Sequence, residues 1–278
     1  MKIFVTGGTG FVGTHAVHAL EARGHAVKLL SCQLSELDTI EDDLGEWRPD
    51  AVLHLAWEGL PDYSEKLSRK NYEESAAFFR LLARLGIQKT VATGTCWQYA
   101  AREGGQKENA PRKDADSFTT AKNGLLSLGT ELFREHAGSF VWAIPFFLYG
   151  PGQRASSLVP SLIAEAAQGK TPHPKNPDAT NDMVYIGDAA EALALLIEQN
   201  VESGIYNVGS GALTGTLDVA RAVAKLLRVP PPPQATIRVP HGFFADIAKT
   251  RAATGWVPRV SIEDGVAKTV AWFRDHSL

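Results

Sequence analysis

The chain has 278 residues, 21% of them charged, with 28 Lys and Arg against 31 Asp and Glu for a formal net charge of −3. That length buries a full core, in one large α/β domain or one domain with a smaller appendage. The acidic balance and the lack of a long basic run exclude a nucleic-acid surface, and two cysteines, Cys32 and Cys96, with no Cys/His cluster at zinc spacing, exclude a disulfide framework and a metal centre.

Lys2 to Thr6 form a strand that runs straight into glycines at positions 7, 10 and 13, and an apolar-periodic helix then carries Val12, Ala16, Val17 and Leu20 to a stop at Gly24. A nucleotide pyrophosphate needs this order of strand, glycine turn and helix. Gly7 permits the tight turn, Gly10 lets the backbone approach phosphate, and Gly13 lets helix and strand pack closely. The open N–H groups of the helix start, at Phe11 and Val12, face the negative charge. A dinucleotide-binding protein is therefore expected. The N-terminal strand is no secretory signal, and the longest apolar run, Phe140 to Tyr149, is about half of the ~20 residues that a membrane crossing needs and contains Pro145. A soluble, reducing, cytoplasmic setting is the expectation.

Further along, strand and helix patterns alternate, which predicts a parallel sheet with helices on both faces. Strands are expected at Ala26–Leu30, at Ala51–Leu55 behind the turn Arg48-Pro49-Asp50, at Thr90–Thr93 and at Ser139–Leu148. Helices are expected at Tyr72–Leu85, Lys122–His136, Ser157–Gln168, Ala189–Gln199, Leu217–Leu227 and Ile262–Arg274. Pro230–Pro233 reads as a stiff polyproline connector. No internal repeat and no low-complexity tract interrupts the pattern.

These landmarks, in this order, resemble the extended short-chain dehydrogenase/reductase family, in its NAD-dependent epimerase/dehydratase branch, which modifies nucleotide-diphosphate sugars. Thr6-Gly7-x-x-Gly10-x-x-Gly13 is similar to its cofactor loop, and His54-Leu55-Ala56 to the end of its fourth strand. Thr95, four residues before Tyr99, resembles the catalytic Ser or Thr, Lys122 the catalytic Lys, and Tyr149-Gly150-Pro151-Gly152-Gln153 the turn into the sugar-nucleotide lobe. Asp182 to Asp188, Asn207 to Gly211 and Gly255 to Pro258 resemble later segments. The resemblance implies a Rossmann-type doubly wound parallel sheet with a smaller C-terminal α/β substrate-binding lobe. Residues 1–150 would bind the dinucleotide, with a return segment at about 182–209, and residues 151–278 mainly the nucleotide sugar.

One position departs from the family pattern Tyr-x-x-x-Lys, because this chain reads Phe118-Thr119-Thr120-Ala121-Lys122. The family's Tyr exchanges a proton with the sugar while hydride moves to or from the nicotinamide, and Lys lowers its pKa by charge and grips the ribose. Phe118 keeps the ring and loses the acidic proton, so the rate should fall by on the order of 10² to 10⁴ while binding survives. Three explanations stand: a Tyr-to-Phe substitution made to trap substrate; another donor, such as Tyr99, Glu58, Tyr63 or a water held by Thr95 and Lys122; or a catalytically silent dinucleotide-binding regulatory or scaffold protein.

The Asp-Glu pair that sugar 4,6-dehydratases of the family carry after the catalytic Thr is here Cys96-Trp97, and the Cys and His of its epimerase-reductases fall at Trp97 and Gly152. What remains is a 4-keto reductase acting on a nucleoside-diphosphate 4-keto-6-deoxyhexose, or a simple C4 epimerase with bound NAD. The short segment between Leu30 and Trp47 leans toward the reductase. Around Ser31-Cys32-Gln33 stands neither the carboxylate of an NAD enzyme nor the Arg of an NADP enzyme, so the cofactor is NAD(P)(H) with no preference between the two. Ser31 could donate to a phosphate and Asp38 could sit by the adenine, with Leu55 and Ala56 also beside the cofactor. For the substrate, the resemblance and charge point to Trp57, Glu58, Thr95, Trp97 and Arg154, with the helix start at Ser156-Ser157, and more weakly to Lys175 and Arg251. Asn71 resembles a bracing Asn of the family. The apolar stretches Tyr72–Leu85 and Leu125–Phe133 suggest a homodimer through a four-helix contact.

Overall fold

A computed structural model of the chain describes residues 1–233 and 241–276. The chain opens with β1 (Lys2–Thr6), α1 (Phe11–Ala22), β2 (Ala26–Leu29), α2 (Leu37–Trp47), β3 (Ala51–His54), α3 (Glu65–Arg84) and β4 (Lys89–Thr93). A 3-10 turn at Cys96–Gln98 and β5 (Gly104–Gln106) lead to α4 (Ser117–Glu135), β6 (Ser139–Pro145), β7 (Phe147–Tyr149), α5 (Leu158–Ala167), β8 (Thr180–Asn181) and β9 (Met183–Tyr185). After these come α6 (Ile186–Glu198), β10 (Gly204–Val208), β11 (Thr214–Gly215), α7 (Thr216–Leu227), β12 (Phe243–Ala245), α8 (Ala248–Thr254) and α9 (Ile262–Asp275).

Six strands form one sheet in the order β2-β1-β3-β4-β6-β10, every neighbouring pair parallel. Successive side chains on a strand point to opposite faces, and both faces here are covered. Phe4, Val52 and Trp142 join Phe78 and Phe79 of α3 and Leu125 of α4 in one apolar cluster. Ile3, Val5, Leu53 and Val141 join Leu20 of α1 and Leu193 of α6 in the other. Strands buried on both faces read as continuous apolar runs, which is why they were visible in the sequence. The strand order reverses between β1 and β3, and in open α/β sheets a ligand crevice lies outside the carboxyl ends at that point. The doubly wound fold matches the expectation. A third cluster, with Val159 and Leu162 of α5, Val219 and Val223 of α7 and Val266 and Val270 of α9, lies in the C-terminal part.

Several local expectations need correction. The segment after β2 holds only the helix α2 before β3, so His54, likened to the end of the family's fourth strand, closes the third strand of this chain. Helix α3 begins at Glu65, where Ser64 caps it, rather than at Tyr72. Helix α4 begins at Ser117 rather than Lys122: the Asp116 carboxylate accepts from Thr119 N at 2.7 Å, closing a capping box. The strand expected over Ser139–Leu148 is two strands. β6 ends at Pro145, which has no N–H to give, and Phe147 N donates to Asp182 O at 3.0 Å, so β7 leaves the main sheet to pair with β9. Beyond these corrections, many apolar residues of Tyr72–Leu85 and Leu125–Phe133 pack within the chain itself. Phe78, Phe79, Leu82, Leu125 and Phe133 lie in its own core, while outward positions carry Arg69, Glu73, Arg80, Thr130 and Glu131. Pro230–Pro233 is neither helix nor strand.

Candidate active site

The glycine turn is built for close approach. Gly7 has φ +68°, and a Cβ on it would stand 2.7 Å from Ala56 N, so the turn rests against the residues that follow β3. A Cβ on Gly13 would stand 2.0 Å from Gly7 O, whereas Gly10 faces open space beyond one carbonyl. Helix α1 has no side chain capping its N-terminus and no acidic residue in its first turn. Its free N–H groups therefore present positive potential to an anion. These residues fit the pyrophosphate of a dinucleotide.

From this turn a cleft of about 790 Å³ runs between Gly10, Phe11, Val12 and Gly13 on one side and Arg154 and Ser157, at the start of α5, on the other. An inner cavity of about 240 Å³ adjoins it and shares Val12, Leu55, Trp57 and Phe147 with it. Thr95, Trp97, Phe118 and Lys122 all line this inner cavity. A third hollow of about 160 Å³, with Gly7, Leu30, Cys32, Gln33 and Ala56 in its wall, continues on the β2 side. Trp57 borders all three. A larger open groove of about 920 Å³, with Arg112, Arg134 and Lys249 in its wall, shares no residue with them and lacks the glycine turn, so size does not identify the site here.

The early start of α4 matters for chemistry. Phe118 and Lys122 are four residues apart in one helix, hence on one face. Thr95 caps the 3-10 turn, its hydroxyl accepting from Trp97 N at 3.3 Å. The Gln98 amide oxygen accepts from Thr95 N at 3.0 Å and from Trp142 Nε1 at 3.1 Å, and its Nε2 donates to Asn123 Oδ1 at 2.7 Å. This network ties the Thr95 turn to the helix carrying Lys122. Sequence reasoning missed Gln98 and Asn123, although Thr95-x-x-Gln98 is itself a capping-box pattern.

Electrostatics sort the candidates. Lys122 Nζ donates to Thr93 O at 2.9 Å and lies 4.0 Å from the centre of the Trp57 ring, and burial pushes its ammonium down to about 7. His54, buried with Nδ1 2.8 Å from Thr6 Oγ1 and Nε2 3.1 Å from Ser75 Oγ, is lowered to about 3 by burial and by Lys122, so it is neutral and structural. Burial pushes the Cys96 thiol up to about 12, which leaves it inert. Tyr99 is fully buried and gives its hydroxyl to Asn207 Oδ1 at 2.6 Å, and burial raises its pKa, so it is committed to the core rather than the cavity.

Other expected residues scatter. The Glu58 carboxylate pairs with Lys70 at 2.5 Å and borders the β2-side hollow, away from the sugar position expected for it. Ser31 and Asp38 are exposed and lie outside the described lining of all three hollows, with Asp38 in the first turn of α2; Lys175 and Arg251 are likewise exposed and outside. Asn71 is buried and brackets Glu58, accepting from its N–H at 2.7 Å and donating to its carbonyl at 3.2 Å, so it braces the loop after β3. Asp182 accepts from Ser210 N at 2.5 Å and from Ala245 N at 2.8 Å, while Asp188 accepts from Arg259 N and Val260 N, both at 2.9 Å. Trp256 Nε1 donates to Asp188 O at 2.9 Å, so the two buried aspartates tie the three later family-like segments together. Among the described residues no group of His, Cys, Asp and Glu could hold a metal ion.

Fold and cleft define an α/β protein of the dinucleotide-binding dehydrogenase/reductase class. A model of the NAD-dependent epimerase/dehydratase family matches residues 3–209, and the chain belongs to that family. It is similar to a dTDP-glucose 4,6-dehydratase of Neisseria meningitidis serogroup B, 24% identical, covering 99% of this chain and 94% of the relative. Among solved structures, a UDP-glucose 4-epimerase of Thermotoga maritima with UDP-glucose has a TM-score of 0.87 at 20% identity, covering 99% of both chains. A UDP-glucose 4-epimerase of Thermus thermophilus in complex with NAD has a TM-score of 0.85 at 24% identity, covering 100% of both. The chain is an NAD(P)-dependent enzyme of the short-chain dehydrogenase/reductase type.

Proposed function

We propose that the chain is a nucleotide-sugar oxidoreductase that reduces the ketone of a nucleoside-diphosphate 4-keto-6-deoxyhexose. The observation that carries this reading is the joined cleft, in which a phosphate-ready glycine turn, the Arg154 guanidinium and an inner cavity holding Thr95 and Lys122 open into one another. The dinucleotide supplies hydride chemistry when bound. Gly7, Gly10, Gly13 and the start of α1 would hold its pyrophosphate, Leu55 and Ala56 would flank it, and Lys122 would face its ribose. Arg154 and Ser157 would receive the sugar's diphosphate, Trp57 and Trp97 would wall the sugar, and the Thr95 hydroxyl would donate to the carbonyl oxygen.

A 4,6-dehydratase needs further proton-moving groups, and after Thr95 come a buried thiol and an indole. A C4 epimerase must offer hydride to both faces of the keto sugar, which requires room to turn it. The inner cavity is narrow, about 240 Å³, and walled by Trp57, Trp97, Phe118 and Phe147, which favours one-sided reduction. For the cofactor, Lys28 is paired to Asp43 at 2.8 Å and the Glu36 carboxylate accepts from Gln33 N at 2.8 Å, so the described end of β2 offers a 2′-phosphate a carboxylate and no free cation. This favours NAD(H) over NADP(H). The division near residue 150 into a dinucleotide part and a substrate lobe, a cytoplasmic setting and a homodimer through α3 and α4 complete the reading. The homodimer is tested by sedimentation, since the apolar sequence of those helices is already accounted for by the chain's own core.

The test is turnover with reduced dinucleotide and a panel of dTDP-, UDP-, CDP- and GDP-linked 4-keto sugars. A reductase consumes one cofactor per sugar. Cofactor that is recycled while the sugar inverts would make the chain an epimerase, and binding without turnover on any sugar would make it a silent binding protein.

A further inference from the structure

We propose that the phenol of Tyr63, on the loop after β3, is the proton donor of this site, in place of the group that Phe118 lacks. The inference rests on the reductase reading and deepens it. Reduction of a ketone requires a proton for the oxygen. The described wall of the inner cavity offers few groups able to give one: the Thr93 and Thr95 hydroxyls, the Cys96 thiol, the Lys122 ammonium and the Tyr63 phenol. An aliphatic hydroxyl is too weak an acid to act alone. The thiol is buried and inert, as above. The ammonium, which donates to Thr93 O and lies against the face of Trp57, is given to the dinucleotide's ribose in the reading above. Tyr63 remains.

Its placement supports the role. The Tyr63 ring centre lies 5.0 Å from that of Phe118, so the two rings share one wall. Tyr63 is 46% exposed. Tyr99, Tyr149 and Tyr206 give their hydroxyls to Asn207 Oδ1, Ser261 O and Glu202 O, and Tyr63 gives its own to no partner among the described residues. The loop that presents it is anchored rather than loose. Asn71 brackets Glu58, Gly59 has φ +81° with its Cβ position only 2.1 Å from Leu67, Asp62 N donates to Gly59 O at 2.8 Å, and Ser64 N donates to Asp62 Oδ1 at 2.8 Å.

In the step, the carbonyl carbon gains a hydride from the reduced dinucleotide, which leaves oxidised. The π pair of the carbonyl moves to oxygen, the O–H bond of Tyr63 breaks, and its proton ends on that oxygen. Water restores the phenol.

The experiment compares the wild type with Tyr63→Phe, Phe118→Tyr and the double variant, and maps nitration of Tyr63 by tetranitromethane with and without NAD⁺ and the nucleotide-linked alcohol product. Tyr63→Phe is expected to lower kcat by on the order of 10² to 10⁴, with KM and dinucleotide affinity within about threefold, because only the acid is removed. Adding Phe118→Tyr to it should recover at least about tenfold of that loss by returning a phenol to the same wall. Bound ligands should suppress nitration of Tyr63. A Tyr63→Phe enzyme with kcat within about threefold of wild type overturns the assignment, as does nitration that ligands leave unchanged. So does a wild type that binds both ligands without turnover while Phe118→Tyr alone is active. If the wild type binds neither dinucleotide, the reductase reading itself fails, which is a different result from any of these.

Discussion

Lys122 is a cation kept where charge is costly. Burial lowers its pKa from 10.5 to about 7, so between those values the unfolded chain holds a proton that the folded chain has released. Stability therefore rises with pH across that window, by at most about 1.4 kcal/mol per unit from this group, and the group adds no slope below about pH 7. Urea unfolding of wild type and Lys122→Met from pH 6 to pH 9 should show a wild-type deficit that narrows as pH rises. A gap independent of pH would contradict the buried, half-charged state. His54 has the same sign: its imidazole is held neutral in the fold, so this contribution is present above the ordinary pKa of 6.5 and fades as pH falls toward 3. Gly13 gives a steric prediction. Its Cβ position lies 2.0 Å from Gly7 O, so Gly13→Ala should weaken dinucleotide binding at least about tenfold and cost about 1–3 kcal/mol in folding, read by calorimetry and urea titration.

At the scale of elements, the Thr95 turn and the N-terminus of α4 form one unit. Gln98→Leu orphans Thr95 N and Trp142 Nε1, and each buried unpaired group should cost about 1–3 kcal/mol in urea unfolding. Asp116→Ala should cost about 1 kcal/mol, through the lost cap of the helix that carries Phe118 and Lys122. A null effect from both would show that the network is incidental. The same unit shows which information is local. Apolar periodicity alone sets the start of α4 late, because Phe118 to Ala121 carry little of it, and the Asp116 cap decides the boundary. Helix α2 was overlooked, since only Ile40 and Leu44 of its residues are buried and the rest is largely polar. The break after Pro145 depends on Phe147 finding Asp182, a partner far along the chain that no local pattern announces.

For the whole molecule, the parallel sheet and the glycine turn were legible because continuous buried strands and a strand-glycine-helix order are short-range signals. The composition of the cavity was not. Tyr63 and Trp57, on the loop after β3, and Phe147, in β7, meet Phe118 of α4 from distant parts of the chain, and Glu58, adjacent to Trp57, turns the other way to Lys70. Binding to the fold alone should also stabilise it by mass action, about 2.7 kcal/mol at ligand a hundredfold over Kd.

The central claim is that the glycine turn holds a nicotinamide dinucleotide beside a nucleotide sugar. The most direct measurement is isothermal titration of NAD⁺, NADH, NADP⁺ and NADPH into wild type and Gly13→Ala, alone and with UDP- or dTDP-sugar present. The account predicts saturable binding to wild type, tighter for NAD(H), impaired in Gly13→Ala, and a nucleotide sugar that binds at the same time. A wild-type chain with no affinity for any of the four dinucleotides would contradict it.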